Sequence, residues 1–131
     1  MNRVTTLALP MLAALASTGC DSKYPPGTSP ETRDLMDSTT VRAEIAAIDA
    51  ALAEFALRND RRFPETLEVL VIPDELGVSY LKTKSLPTDP WGRAYLYRPP
   101  TKEDPVPHIM TYGRDGAPGG TGPDADITNR D

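Results

Sequence analysis

The residues best suited to chemistry lie near the C-terminus, in Thr111-Tyr112-Gly113-Arg114-Asp115-Gly116-Ala117-Pro118-Gly119-Gly120-Thr121-Gly122-Pro123-Asp124-Ala125-Asp126-Ile127. Five glycines fall within ten residues, bracketed by Asp115, Asp124 and Asp126. Clustered carboxylates repel one another unless a cation sits among them, and glycine lets backbone carbonyls turn inward. Such a set suits calcium, which takes about six to eight oxygens at roughly 2.3–2.6 Å. The same residues also read as a solvated Gly/Asp turn. On the residues alone both readings stand.

Little else offers reactivity. His108 is the one histidine and Cys20 the one cysteine, and no serine stands in a recognisable catalytic setting. His108 reads as a strand residue facing solvent or a sheet edge. No nucleophile, base and metal can be assembled into a catalytic constellation, so an enzyme is not expected. Two other calcium arrangements fail. Asp115 lacks the alternating acidic positions of an EF-hand loop. Gly119-Gly120-Thr121-Gly122-Pro123-Asp124 is one repeat-in-toxin-like unit without tandem copies. The 14 basic and 19 acidic side chains give a formal net charge of −5, and no Lys/Arg cluster offers a phosphate footprint. Nucleic acid is therefore excluded as an expected partner.

Cys20 has a different meaning. Arg3 precedes an apolar run, Val4 to Ala16, broken by Thr5, Thr6 and Pro10. That run is shorter than the roughly 20 residues of a membrane span, but it suits a secretory signal. Its end, Leu15-Ala16-Ser17-Thr18-Gly19-Cys20, resembles the lipobox of bacterial lipoproteins, with Ser17 where a Leu is usual. The resemblance implies cleavage after residue 19, acylation of Cys20 and a lipid anchor on the periplasmic side of a membrane. Asp21, directly after it, resembles the signal that retains many Gram-negative lipoproteins at the inner membrane. A lone thiol in an oxidising compartment has no disulfide partner, which agrees with acylation.

These chemical groups need a scaffold. Residues 20–38 carry almost no apolar periodicity and read as a flexible tether, leaving 39–131 as one domain. Val41, Ile45, Ile48, Leu52 and Phe55 recur at alternating steps of four and three, predicting a helix over about 40–58 with one buried stripe. Ser38, Thr39 or Thr40 would cap it, Asn59-Asp60 would stop it, and Glu44 and Arg58 would lie on its exposed face. Pro64 opens a second, shorter helix with Glu65 in its first turn, ended by Pro73. Ala94–Arg98 and His108–Tyr112 read as two antiparallel strands beneath the long helix, an α+β fold. Trp91 follows Pro90 and precedes Gly92, so a turn places an aromatic side chain, expected to be largely buried, at the sheet edge.

In order, Arg62-Phe63-Pro64, Tyr80-Leu81, Asp89-Pro90-Trp91-Gly92, Tyr95 to Tyr97 and Gly113 to Ile127 resemble the globular domain of the major pseudopilin of type II secretion systems. The resemblance covers about residues 41–129. It implies a helix packed on a small antiparallel sheet, and a structural calcium ion in the loop between the last strands. Carried onto this sequence, Asp115 and Asp124 or Asp126 would supply carboxylates, and the backbone carbonyls near Tyr112 and Ala117 further oxygens. Two features depart from the family. The pilin-type leader with its roughly 20-residue apolar core helix is not found, and Thr128-Asn129-Arg130 follows Ile127 where a Trp is expected. The expected protein is thus a non-enzymatic, lipid-anchored accessory of a secretion or pilus-like machine, with pseudopilins or other secretion components as partners. A free-standing, calcium-stabilised periplasmic or surface module is the alternative.

Overall fold

The computed structural model describes residues 23–131. The signal segment, Cys20 and Asp21 lie outside the described residues. The element order is helix α1 (Pro30–Arg58), a 3-10 turn (Leu67–Val71), strands β1 (Leu96–Arg98) and β2 (His108–Thr111), a second 3-10 turn (Gly122–Asp124) and strand β3 (Ile127–Thr128). The strands form one antiparallel sheet in the order β1-β2-β3.

Helix α1 is longer than the apolar stripe predicts. It spans 29 residues, about 43 Å at 1.5 Å per residue. Its cap is Ser29, whose hydroxyl accepts from the amide of Thr32 at 3.3 Å, with Pro30 at the first helical position. Residues 30–38 therefore belong to the helix and not to a tether. Ser38, Thr39 and Thr40 do not cap. Their hydroxyls donate back to the carbonyls of Leu35 and Met36 from within the helix, an alternative hydrogen bond open to these side chains mid-helix. The C-terminal stop falls at Asn59, as expected, followed by Asp60 and Arg61 in left-handed conformation.

The predicted stripe faces the sheet. Val41, Ile45, Ile48 and Leu52 are buried and Phe55 is half-buried, edge-on to the Tyr80 ring. They pack with Leu67, Leu70, Leu81, Tyr95, Ile109 and Ile127 into one core. The sheet side obeys the period of two. Tyr97 opposite Ile109, and Thr111 opposite Ile127, point toward the core, while Leu96 opposite Met110 points away.

Three local readings are corrected. The helix expected from Pro64 is a 3-10 turn that starts at Leu67 and buries Leu67 and Leu70. Ala94 pairs with Thr88 across the Trp91 turn, and β1 begins at Leu96. Glu44 is half-buried and not on a free face, because its carboxylate accepts the Tyr95 hydroxyl. Ala94 and Glu44 each have a partner, Thr88 and Tyr95, that their immediate neighbours in sequence do not reveal.

Candidate functional site: the Trp91 turn and the glycine-rich loop

Asp89 organises the turn that carries Trp91. Its side chain is fully buried, and one oxygen accepts the amides of Trp91 (3.1 Å) and Arg93 (2.8 Å). The other accepts the Thr111 hydroxyl at 2.6 Å, which ties the turn to β2. Backbone bonds from Asp89 N to Arg93 O and from Gly92 N to Asp89 O close the turn, with Gly92 at φ 84°. Trp91 is partly buried against the core rather than largely enclosed. Asp89 is thus a structural carboxylate.

Arg93 leaves this turn to reach the glycine-rich loop. Its guanidinium donates to the carbonyls of Gly113 (2.6 Å) and Arg114 (2.7 Å). A Cβ at Gly116 would meet Arg93 Cζ at 2.7 Å and push the guanidinium aside, and its φ of 66° also favours glycine. Gly113 is similarly constrained, since its Cβ would come within 2.6 Å of the Ala125 carbonyl oxygen. Arg114 points the other way and links the loop to α1. It donates to Asp124 at 2.9 and 3.3 Å and pairs with Asp34 at 3.3 Å.

The three aspartates therefore have separate partners. Asp115 accepts the amide of Ala117 at 3.0 Å, and Asp126 accepts that of Gly119 with both oxygens, at 3.0 and 3.1 Å. Both carboxylates are turned onto one short stretch, Ala117–Gly119, and keep further lone pairs. Asp124 is committed to Arg114. Among the described residues no three acidic, His or Cys side chains converge on one point.

The C-terminus closes the domain by a different device from the expected Trp. Asn129 bonds Ile109 in both directions at 3.1 Å and donates to Asp49 of α1 and to the Pro107 carbonyl, each at 3.0 Å. Arg130 pairs with Asp104 at 2.8 Å and donates to the Val106 carbonyl. The Arg130 hydrogen bond to Asp104 holds that carboxyl below its usual range. His108 lies in β2 with its Nδ1 3.0 Å from the Arg98 guanidinium, and burial followed by the charges of Arg130 and Arg98 lowers its pKa.

A helix packed on a small antiparallel sheet, in this sequence, has counterparts among known proteins. The family model described as type II secretion system (T2SS), protein G, matches residues 30–130. The chain belongs to the type II secretion system protein G family. Type II secretion system core protein G of Pseudomonas aeruginosa is 35% identical over 107 residues, covering 75% of this chain and 74% of that protein. The Vibrio cholerae serotype O1 core protein G is 34% identical over 107 residues, covering 74% and 70%. Among solved structures, the major pseudopilin of the type 2 secretion system of enterohaemorrhagic Escherichia coli aligns with a TM-score of 0.56 at 26% identity, covering 78% of this chain and 96% of that one. This protein G family member is thus pseudopilin-like in fold and in general role, a structural component and not an enzyme.

Arg93, Arg114 and Asn129 carry contacts that sequence reasoning missed. A cationic side chain next to a turn or inside an acidic loop was the available signal for the two arginines, but Arg93 reaches carbonyls 20 or more residues away, Arg114 reaches Asp34 80 away, and Asn129, a neutral amide, reaches Asp49 80 away.

Proposed function

We propose that this chain is a lipid-anchored, pseudopilin-like accessory of a type II secretion or related pilus-like machine. It would sit on the periplasmic side of the membrane, with the inner membrane favoured by Asp21, and dock with pseudopilins or other secretion components. The observation that carries this reading is the start of α1. Ser29 caps the helix at Pro30, and the chain turns at Gly27 (φ 82°) instead of running upstream as one continuous rod. A filament subunit packed through a long core helix needs that continuity. Among the described residues no helix is long and apolar enough to cross a membrane. Acyl chains on Cys20, at ~0.8 kcal/mol per buried methylene, would hold it on the membrane.

The test uses the tagged full chain in cells with an active secretion machine. It should copurify with pseudopilins from solubilised membranes and label the membrane in a dispersed pattern. Cys20→Ala should release it or leave an unprocessed precursor. Membrane retention of that variant at mature mass removes the anchor, and regular labelling along filaments removes the accessory role. Absence of copurification, with secretion intact after gene loss, favours the free-standing module.

A structural calcium ion belongs to the same reading. Asp115 and Asp126, with carbonyls such as those of Tyr112 and Ala117, would hold it. When bound, it would cancel carboxylate repulsion in a segment with little apolar content. The support is the loop itself: Gly113, Gly116, Gly119, Gly120 and Gly122 all have positive φ, so its carbonyls are free of the orientations that other residues impose. Calorimetry on the chain lacking residues 1–19, with Cys20→Ser, should detect calcium binding that Asp115→Ala abolishes. Magnesium should substitute poorly, because it demands a tighter octahedron. No heat at millimolar calcium ends this part of the proposal.

A further inference from the structure

The segment ahead of α1 is folded onto the domain. Lys23 donates from one ammonium to two elements, reaching the Asp37 carboxylate at 2.7 Å and the Pro90 carbonyl at 3.1 Å. The Tyr24 hydroxyl donates to the second oxygen of Asp37 at 2.5 Å. Asp37 is buried, seven residues into α1 and so about 10 Å along its axis. Lys23 and Arg33 both lie over the Tyr24 ring, at 5.1 and 5.3 Å from its centre. A turn closed by Thr28 N to Pro25 O then reverses the chain into the Ser29 cap.

Each part of this clasp has a physical reason. A carboxylate buried without partners is costly, and here it has two. Burial by itself would lower the Lys23 pKa, but the hydrogen bonds to Asp37 and Tyr24 outweigh it and leave the ammonium more basic than usual. The ammonium therefore stays charged throughout neutral pH. Residues 23–29 run back along the first turns of α1, and the chain enters the domain beside Asp37 and the Pro90 turn.

We propose that this clasp sets how the domain lies on the bilayer: the lipid headgroup surface faces the flank formed by Lys23 and the Pro90–Trp91 turn, and not the N-terminal tip of α1. This rests on acylation of Cys20. Only Asp21 and Ser22 separate that residue from the first clasped one, and three residues span at most about 10 Å when fully extended. The domain is acidic overall, with a formal net charge of −5 for the full chain, so general attraction to anionic lipid cannot orient it. The short link and the clasp can. Residues 20–38 would serve as a mount and not as a flexible spacer.

Trp91 is the one tryptophan and adjoins Pro90, so it reports on this flank directly. The full acylated chain would be reconstituted into phosphatidylcholine vesicles carrying a dansyl-headgroup lipid, and energy transfer from Trp91 measured. Transfer should be strong in the wild type. It should fall at least twofold when six Gly/Ser residues are inserted between Ser22 and Lys23, a change that leaves the clasp and fold intact. Lys23→Ala should lower it as well, by freeing the segment to swing. Vesicle flotation with the lipidated mass, but without transfer or with transfer unaffected by the insertion, overturns this orientation while leaving the anchor in place. Failure to float, with no lipid on Cys20, removes the anchor and this inference together.

Discussion

Two carboxylate oxygens of Asp89 serve two amides and one hydroxyl. Replacing Asp89 by alanine strands those donors in a buried place. Hydrogen bonds to a charged group contribute about 1.5–3 kcal/mol each, so Asp89→Ala should lower unfolding stability by at least ~3 kcal/mol in urea titrations. Thr111→Val removes one of the three and should cost less. Arg93 is a second decisive residue, since its planar fork matches two carbonyls at once. Arg93→Ala should speed hydrogen exchange in Gly113–Gly116 while leaving α1 protected. Arg93→Lys should not restore protection, because an ammonium is a point charge without the fork. Equal exchange in all three proteins would show that the loop is held by something else.

Helix α1 and the sheet beneath it set the next scale. Ile48 and Leu52 are wholly buried at their interface. Ile48→Ala or Leu52→Ala should each cost about 2–5 kcal/mol, measured as a shift in denaturation midpoint at constant slope. Arg58→Ala, whose partner Glu54 is a surface i,i+4 residue, should stay within about 0.5 kcal/mol. The tyrosines add a pH dependence. Burial, with a smaller effect of Glu65, raises the Tyr97 pKa to about 12, and burial followed by the Glu44 hydrogen bond raises that of Tyr95 further. An unfolded chain ionises these phenols near pH 10, before the folded one does. Their contribution to stability is thus complete below about pH 10 and is lost as pH rises through about 12. Denaturation midpoints should fall across that window, and Tyr97→Phe should flatten part of the fall. A midpoint rising there would contradict the burial of both rings.

At the scale of the whole molecule, the domain is joined at three places that are remote in sequence. Lys23 reaches Pro90, Arg114 reaches Asp34, and Asn129 reaches Asp49. Both ends of the described chain are therefore fastened to α1 and its surroundings. Asn129→Ala should release the C-terminus from α1 and β2 together. Limited proteolysis should then remove the last residues from the variant faster than from the wild type, with the core of α1 still intact. Identical digestion would mean that Arg130, through Asp104 and Val106, suffices to hold that end.

Much of this was legible without coordinates, and the reason is periodicity. Val41, Ile45, Ile48 and Leu52 must share a helical face whatever they meet, so the buried stripe, the stop at Asn59 and the α+β class follow from spacing. The order of short motifs was likewise enough to indicate the secretion-system family. What the order of residues could not carry was pairing. The helix begins at Pro30, not near Thr40, because Ser29 caps it and the buried Asp37 finds Lys23 and Tyr24, contacts invisible to a search for apolar repeats. Three aspartates close in sequence looked like one ligand set. Only the tertiary structure decided that Asp124 turns to Arg114 while Asp115 and Asp126 turn to Ala117 and Gly119. A charge in a loop takes the nearest compensating partner in space, and nearness in space is what the fold decides.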